Sequence, residues 1–202
     1  MSETSFIPFS TLMVFGGPNG SGKSTITQKY PIVGFYVNAD DIQIHLQCTP
    51  LDAARIAENT REHLLSQHQD FTFESVLSTD RNYLLMAKAK ENRYRVICVF
   101  ILTIDPKINV SRVESRVRNG GHYVPPEKIV ERYHRSMRLF PKLFDVCDEC
   151  YVYDNSYERD IGEPSMILKW RYGTLEKLPN KLWTDAMLQQ LISGEYLEDN
   201  AN

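Results

Sequence analysis

Apolar residues along this chain fall into short runs, separated by stretches with helical spacing. The run Leu12-Met13-Val14-Phe15 predicts a first strand, and Ile26 to Tyr30 can form a helix that Pro31 stops. Val33 to Val37 reads as a second strand, closed by the polar cluster Asn38-Ala39-Asp40-Asp41. Thr49 and Pro50 open a helix as cap and first-turn residue; Ala53, Ile56, Ala57, Leu64 and Leu65 supply much of its apolar face. Phe71 to Leu77 is a third strand, interrupted by Glu74. After it, Ser78, Thr79 and Asp80 can cap a helix carrying Leu84, Leu85, Met86 and Ala89. Arg95 to Leu102 is the strongest strand, a continuous apolar run of the kind buried on both faces of a parallel sheet. Asp105-Pro106 opens a helix over 107–118 that Asn119-Gly120-Gly121 ends, and Pro125-Pro126-Glu127 starts another through Met137. Cys150 to Tyr153 is a short strand, 166–172 with Gly173 a terminal strand and turn, and 181–192 a last helix before a polar tail. Strands alternating with helices predict an α/β fold with a mostly parallel sheet, whose ligands sit at the carboxyl ends of the strands.

The polar residues collect at those ends. Between the first strand and first helix lies Gly17-Pro18-Asn19-Gly20-Ser21-Gly22-Lys23-Ser24-Thr25, and Gly17 to Ser24 fits the phosphate-loop pattern G-x-x-x-x-G-K-[ST]. Glycines let successive N–H groups point at one anion, and the following helix adds its positive end. All nine residues are therefore candidate ATP-binding positions, with Lys23 reaching the β- and γ-phosphates and the Ser24 hydroxyl suited to Mg²⁺. Transfer of that phosphate to an alcohol needs a base and further cations. Asp40, at the tip of what is expected to be the neighbouring strand, is the candidate base; the alternative is that Asp40 and Asp41 cap the following helix. Glu74 inside an apolar strand is either a substrate-binding carboxylate or one half of a structural ion pair, since carboxylates are rarely buried unpaired. Ser78 and Thr79, where that strand ends, join it on the acceptor side. Asp105 ends a strand as a metal-binding acid would, but Pro106 after it favours capping.

Cations are plentiful from Arg112 to Arg138. Arg112 and Arg116 share a helix face, Arg118 ends that helix, and Arg132, Arg135 and Arg138 recur every third residue on the next. A glycine break between two arginine-bearing helices suits a lid closing over phosphates, because the planar guanidinium fork matches phosphate oxygens. Arg118, Arg132 and Arg135 are the candidate catalytic arginines, and His122, just after the glycine pair, a candidate phosphate contact. The alternative is a solvated basic face paired with Glu114, Glu127 and Glu131.

Composition narrows the partners. Over 202 residues, 23 Lys and Arg against 26 Asp and Glu give a net charge of -3, which argues against a general nucleic-acid-coating role. No apolar stretch approaches the roughly 20 residues of a membrane span. Met1 to Ser5 lacks the basic start of a signal peptide, so a cytoplasmic location is expected. Cys147-Asp148-Glu149-Cys150 is a lone C-x-x-C, read as reduced cysteines rather than a zinc or redox site.

These motifs, in this order, resemble the zeta-toxin family of P-loop kinases. The likeness is carried by the phosphate loop, by Val37-Asn38-Ala39-Asp40-Asp41-Ile42, by Phe73-Glu74-Ser75-Val76-Leu77-Ser78, and by Arg118 to Pro125 followed by Arg132-Tyr133-His134-Arg135-Ser136. It spans roughly Met13 to Ser156, with Tyr153-Asp154-Asn155-Ser156 implied to lie near the nucleotide. The resemblance implies Asp40 as catalytic base, Glu74 as a substrate contact, ATP-dependent phosphorylation of a hydroxyl on UDP-N-acetylglucosamine, and restraint by a separate antitoxin protein. The chain is short beside the best-known toxins; it carries His122 where they are expected to carry an arginine, while Arg135 keeps a second arginine position. The expected architecture is a single P-loop kinase domain over 1–202: a core over about 11–156, a lid over about 106–138 and a C-terminal addition over about 157–202. A kinase for another small molecule (a nucleoside, sugar or antibiotic) and a nucleotide-dependent switch or binding module are the alternatives.

Overall fold

The computed structural model describes residues 10–121, 123–157 and 162–196. His122 and the end of the polar tail lie outside the described residues. The chain runs β1 (Ser10–Gly16), α1 (Lys23–Thr27), β2 (Phe35–Val37), α2 (Ala39–Leu46), α3 (Pro50–Ser66), β3 (Phe71–Ser75), α4 (Asp80–Glu91) and β4 (Tyr94–Leu102). It continues through α5 (Pro106–Arg118), α6 (Pro126–Leu139), a 3₁₀ turn (Phe140–Lys142), α7 (Leu143–Val146), β5 (Glu149–Asp154), the pair β6 (Ser165–Arg171) and β7 (Thr174–Lys177), and α8 (Asp185–Ser193). The strands form one sheet in the order β2-β3-β1-β4-β5-β6-β7. The first five are parallel to one another, and β6 and β7 add antiparallel at one edge. This is an α/β P-loop fold with a mostly parallel sheet.

Period-two alternation sorts the strand residues between two packing layers. Leu12, Val14, Phe71, Phe73, Val96, Cys98, Phe100 and Leu102 enter the larger core. Met13, Phe15, Ile97, Val99 and Ile101 point the other way, with Ile26 of α1. Val96 and Val99 to Leu102 are fully buried, which is why the longest apolar run sits mid-sheet. Trp183, Leu188, Leu191 and Tyr196 join the larger core, so the C-terminal addition and the sheet share one interior.

Four local expectations change. β3 lies between β1 and β2, so the strand that leads to Asp40 is one removed from the phosphate-loop strand; Glu74 is on the adjacent one, with Phe15 opposite Glu74 in register. The first helix ends at Thr27 rather than Tyr30. Lys29 and Tyr30 donate to Ile26 and Thr27 in tighter turns, and the Tyr30 ring packs among Phe15, Tyr151 and Tyr153. A helix, α2, follows β2 at once, capped by Asn38, whose side chain accepts the Asp40 N–H at 2.8 Å. Capping there therefore belongs to Asn38, with Asp40 and Asp41 in the first turn. The terminal strand is one arm of a hairpin: Tyr172 and Gly173 both take positive φ, the geometry of a two-residue turn that returns the chain as β7.

α5 and α6 share a small cluster of their own, Val113, Val124 and Ile129. Yet Tyr133, Met137 and Leu139 on α6 are buried in the larger core. The second half of the arginine-bearing region is thus anchored in the body of the domain.

Candidate active site

The phosphate loop is held open from behind. Gly17 N–H donates to Ser75 O at 3.2 Å, joining the loop to the end of β3. The Asn109 amide, fully buried on α5, donates to Asn19 O at 2.7 Å and is itself bonded by Thr103. The Asn155 amide, just past β5, donates to Ser21 O at 2.7 Å, and Arg112 clamps the Asn155 and Tyr157 carbonyls at 2.7 and 2.6 Å. Gly22 has φ +92°, and a Cβ there would stand 2.1 Å from the Asn155 amide nitrogen, so glycine is required on two counts. The loop amides of Gly22, Lys23 and Ser24 have no backbone acceptor among the described residues. The fully buried Ser21 hydroxyl has no hydrogen-bond partner among the described residues. Converging free amides and an orphaned hydroxyl suit a polyphosphate.

Lys23 lies at the centre. Its ammonium donates to Gly17 O at 2.7 Å and Pro18 O at 3.1 Å. Burial pushes its pKa down to about 8; the charges of Glu74 and Asp40 oppose that shift and Arg116 adds to it. Both acidic candidates therefore act on the phosphate lysine.

The acceptor side is a hydrogen-bonded relay. Glu74 Oε1 accepts from Thr27 Oγ1 on α1 at 3.1 Å and from Tyr36 OH on β2 at 2.7 Å. The Asn38 side-chain amide donates to Tyr36 OH at 3.2 Å, and Asn38 Oδ1 caps Asp40. Burial, then the bond to Glu74, pushes the Tyr36 hydroxyl well above its ordinary pKa, so it stays a donor. The relay links the helix behind the phosphate loop to the turn that bears Asp40, across the intervening strand. Glu74 Oε2 makes no hydrogen bond among the described residues and is the oxygen open to a ligand. Asp40 is exposed.

The remaining candidates separate. Ser24 is exposed on the first turn of α1, and Thr25 N–H donates to Gly22 O. Arg132 donates to the Asn19 side chain at 3.3 Å, at the loop. Arg135 pairs with Glu131 and, with Ser78 and Thr79, lines a cavity between α4 and α6. Arg118 is exposed and makes no hydrogen bond or ion pair among the described residues; it is Arg116 whose charge acts on Lys23. Asp105 caps α5 through the Lys107 N–H at 2.8 Å. Cys98, Cys147 and Cys150 are buried, with Cys98 opposite Cys150 in register; a thiol hydrogen bond and then burial push Cys98 and Cys150 up, and burial pushes Cys147 up against its bond to Cys98, the state of unreactive thiols. Sequence reasoning missed Thr27, Tyr36, Asn38 and Asn109 as site residues, and counted Arg116 among the lid cations without choosing it as catalytic. Asn109, polar between Ile108 and Val110, carried a readable signal; Tyr36 had none, because its role depends on which strand lies beside β2.

A family model described as zeta toxin matches residues 37–161, more than half of the chain, and takes in Asp40, Glu74 and the arginines. A Haemophilus influenzae protein described as uncharacterized is 32% identical over 123 residues, 58% of this chain and 88% of that protein. Among solved structures, the AvrRxo1-ORF1:AvrRxo1-ORF2 complex with sulfate ions superposes at TM-score 0.68 and 15% identity over 92% of this chain, which spans 64% of the matched chain. The same complex solved with ATP gives 0.69 at 15% identity, with the same coverage of both chains. The PezAT chromosomal toxin–antitoxin system of Streptococcus pneumoniae gives 0.53 at 17%, covering 94% of this chain and 86% of that one. At such identities the solved structures speak for the fold alone, and the family match carries the kinship. The chain belongs to the zeta-toxin family of P-loop kinases.

Proposed function

We propose that this phosphotransferase moves the γ-phosphoryl group of ATP to a hydroxyl of a nucleotide sugar such as UDP-N-acetylglucosamine. The observation that carries the reading is the hydrogen-bonded chain Thr27–Glu74–Tyr36–Asn38, which joins the helix behind the phosphate loop to the turn that bears Asp40. A triphosphate on residues 17–25 would place its terminal phosphate against Lys23, with the Ser21 hydroxyl as a further donor. Mg²⁺ would be held by Ser24 and would neutralise phosphate charge. Asp40 takes the proton from the acceptor hydroxyl; the hydroxyl oxygen bonds to the γ-phosphorus as the bridging P–O bond breaks, and ADP leaves. Glu74 Oε2 orients the acceptor, helped by Ser78, Thr79 and His122. Arg132, with Arg116, Arg118 and Arg135, spreads the migrating charge.

In this reading the whole chain is one kinase domain working in the cytoplasm, a location supported by the use of ATP as donor and by four free cysteines. A separate antitoxin is the proposed protein partner; the solved AvrRxo1-ORF1:AvrRxo1-ORF2 and PezAT systems support it. The test is ATP consumption with and without a panel of nucleotide sugars, with product masses read by mass spectrometry. Asp40→Asn should lower kcat by about 100-fold or more while leaving the KM for ATP close to unchanged. Full activity in Asp40→Asn removes the base assignment, and turnover indifferent to every nucleotide sugar removes the acceptor assignment.

A further inference from the structure

We propose that Tyr133 and Tyr196 are positioning residues of the donor site, each setting one peptide plane of the phosphate loop through its own hydrogen-bonded arm. This rests on the phosphotransfer reading above, because it concerns how the loop takes a triphosphate. The Asn109 and Asn155 amides hold two loop carbonyls, Asn19 O and Ser21 O, each at 2.7 Å. In a planar trans peptide the carbonyl and the next N–H point opposite ways. A carbonyl tied from behind therefore aims the following N–H, that of Gly20 or Gly22, forward to the anion.

Neither asparagine stands alone. Asn109 is bonded to the Thr103 hydroxyl, and Thr103 O accepts from Tyr133 OH at 2.7 Å. That is the first arm. In the second, Asn155 N–H donates to Leu102 O at 2.9 Å. Its neighbour Ser156 is tied to Asp154 through both its N–H, at 3.1 Å, and its hydroxyl. Ser156 Oγ in turn accepts the Ile104 N–H at 2.8 Å, and Ile104 O accepts from Tyr196 OH at 3.0 Å. Tyr133, Tyr196, Thr103, Asn109, Asp154 and Ser156 are all buried, so water is poorly placed to replace a lost hydroxyl. Tyr133 comes from α6. Tyr196 follows α8, its ring packed on Trp183 with centroids 5.1 Å apart. The zeta-toxin match ends at residue 161, so the second arm begins in a part of the chain beyond it. The C-terminal addition is thereby part of the ATP-binding machinery. Removing either hydroxyl lets the loop sample peptide planes that do not face a phosphate. A triphosphate then binds only the ordered fraction, and its apparent affinity falls by that fraction. At saturating ATP the loop is ordered either way, so kcat holds.

The test is calorimetric titration of the full chain with Mg²⁺ and a non-hydrolysable ATP analogue, well below the melting temperature. Tyr196→Phe keeps the ring and removes only the donor. It and Tyr133→Phe should each weaken analogue binding about fivefold, the reach of one buried neutral hydrogen bond. In the transfer assay each should raise the KM for ATP by the same factor, with kcat and the acceptor KM unchanged. Trp183→Phe disturbs the packing of the same segment without touching either arm. It should lower the Tm and leave analogue affinity alone. In an Asn155→Ala background Tyr196→Phe should cost nothing further, whereas Tyr133→Phe should still cost its fivefold. Wild-type affinity in either tyrosine variant overturns the proposal. So does a loss in Trp183→Phe as large as that in Tyr196→Phe, which would mark a general effect of stability, or additive losses for Tyr196→Phe and Asn155→Ala. A wild-type chain that binds no analogue removes the phosphotransfer reading and this inference together.

Discussion

Nucleotide binding should be linked to the protonation of Lys23. In the free protein its ammonium is pushed down to about 8, mainly by burial, with Glu74 and Asp40 opposing the shift and Arg116 reinforcing it. A triphosphate in the loop supplies the missing counter-charge, so the bound state holds the proton and binding takes one up wherever the free lysine lacks it. With a pKa of about 8, the free lysine is roughly nine-tenths protonated at pH 7 and one-tenth at pH 9. Affinity for an ATP analogue should therefore fall about tenfold over that interval, a change of about 1.4 kcal/mol. Calorimetry in two buffers of different ionisation enthalpy should show uptake of about half a proton per nucleotide at pH 8. Lys23→Met should bind more weakly at pH 7 and lose the pH dependence. The stability of the nucleotide-free protein moves the opposite way. The folded pKa lies below the ordinary 10.5, so the unfolded chain binds more protons between about 8 and 10.5. This term is fully favourable above that window and is lost as pH falls through about 8. Affinity that is flat from pH 7 to 9, with no buffer dependence of the heat, or a pH dependence that persists in Lys23→Met, would refute the reasoning.

Two further substitutions probe the relay and the far end of the sheet. Tyr36→Phe removes the hydroxyl that joins Glu74 to Asn38; water can reach the half-exposed site, so thermal unfolding should show a loss of about 1 kcal/mol or less. Its kcat should nevertheless fall about tenfold at constant KM for ATP, because Glu74 and the Asp40 turn lose their common tether; an unchanged kcat would remove the positioning role. Glu149, buried at the start of β5, is pushed up by burial, but hydrogen bonds from Tyr151 and Arg95 and the charges of Arg95 and Arg171 outweigh that and hold it below its ordinary value. Its folded pKa is depressed, so its stabilisation is present above about pH 4.5 and is lost as pH falls through the folded value. Glu149→Gln should cost about 2–3 kcal/mol in denaturant unfolding at pH 7, and less as the pH is lowered.

How far each feature could be read from the chain depends on how local its cause is. The phosphate loop was readable because its chemistry is contiguous: glycines, lysine and serine in fixed order between a strand and a helix. β4 was readable because seven buried residues in a row, Val96 to Leu102, leave an apolar run of their own. The capping of α3 by Thr49 and of α5 by Asp105 followed from residues two or three apart. α1 was overestimated because the Tyr30 ring is drawn into packing with β1 and β5, contacts that are distant in sequence.

The sequence by itself determined that a parallel α/β sheet presents a phosphate loop, an acid near residue 40, a glutamate in the third strand and a set of arginines after it. Only the tertiary structure decided which of these meet. Strand order put β3 beside β1 and moved β2 outward, so Glu74 sits next to the loop and Asp40 is reached through Tyr36 and Asn38. Helix packing chose Arg132 for the loop, placed Arg116 in the field of Lys23, turned Arg112 to the loop's support, and set Arg135 and Arg138 around the cavity. The reason is physical. Alternation and capping are set by neighbours along the chain, whereas the partners of a charged side chain are set by which strands pair and which helix faces are buried. That arrangement minimises exposed apolar surface over the whole domain at once.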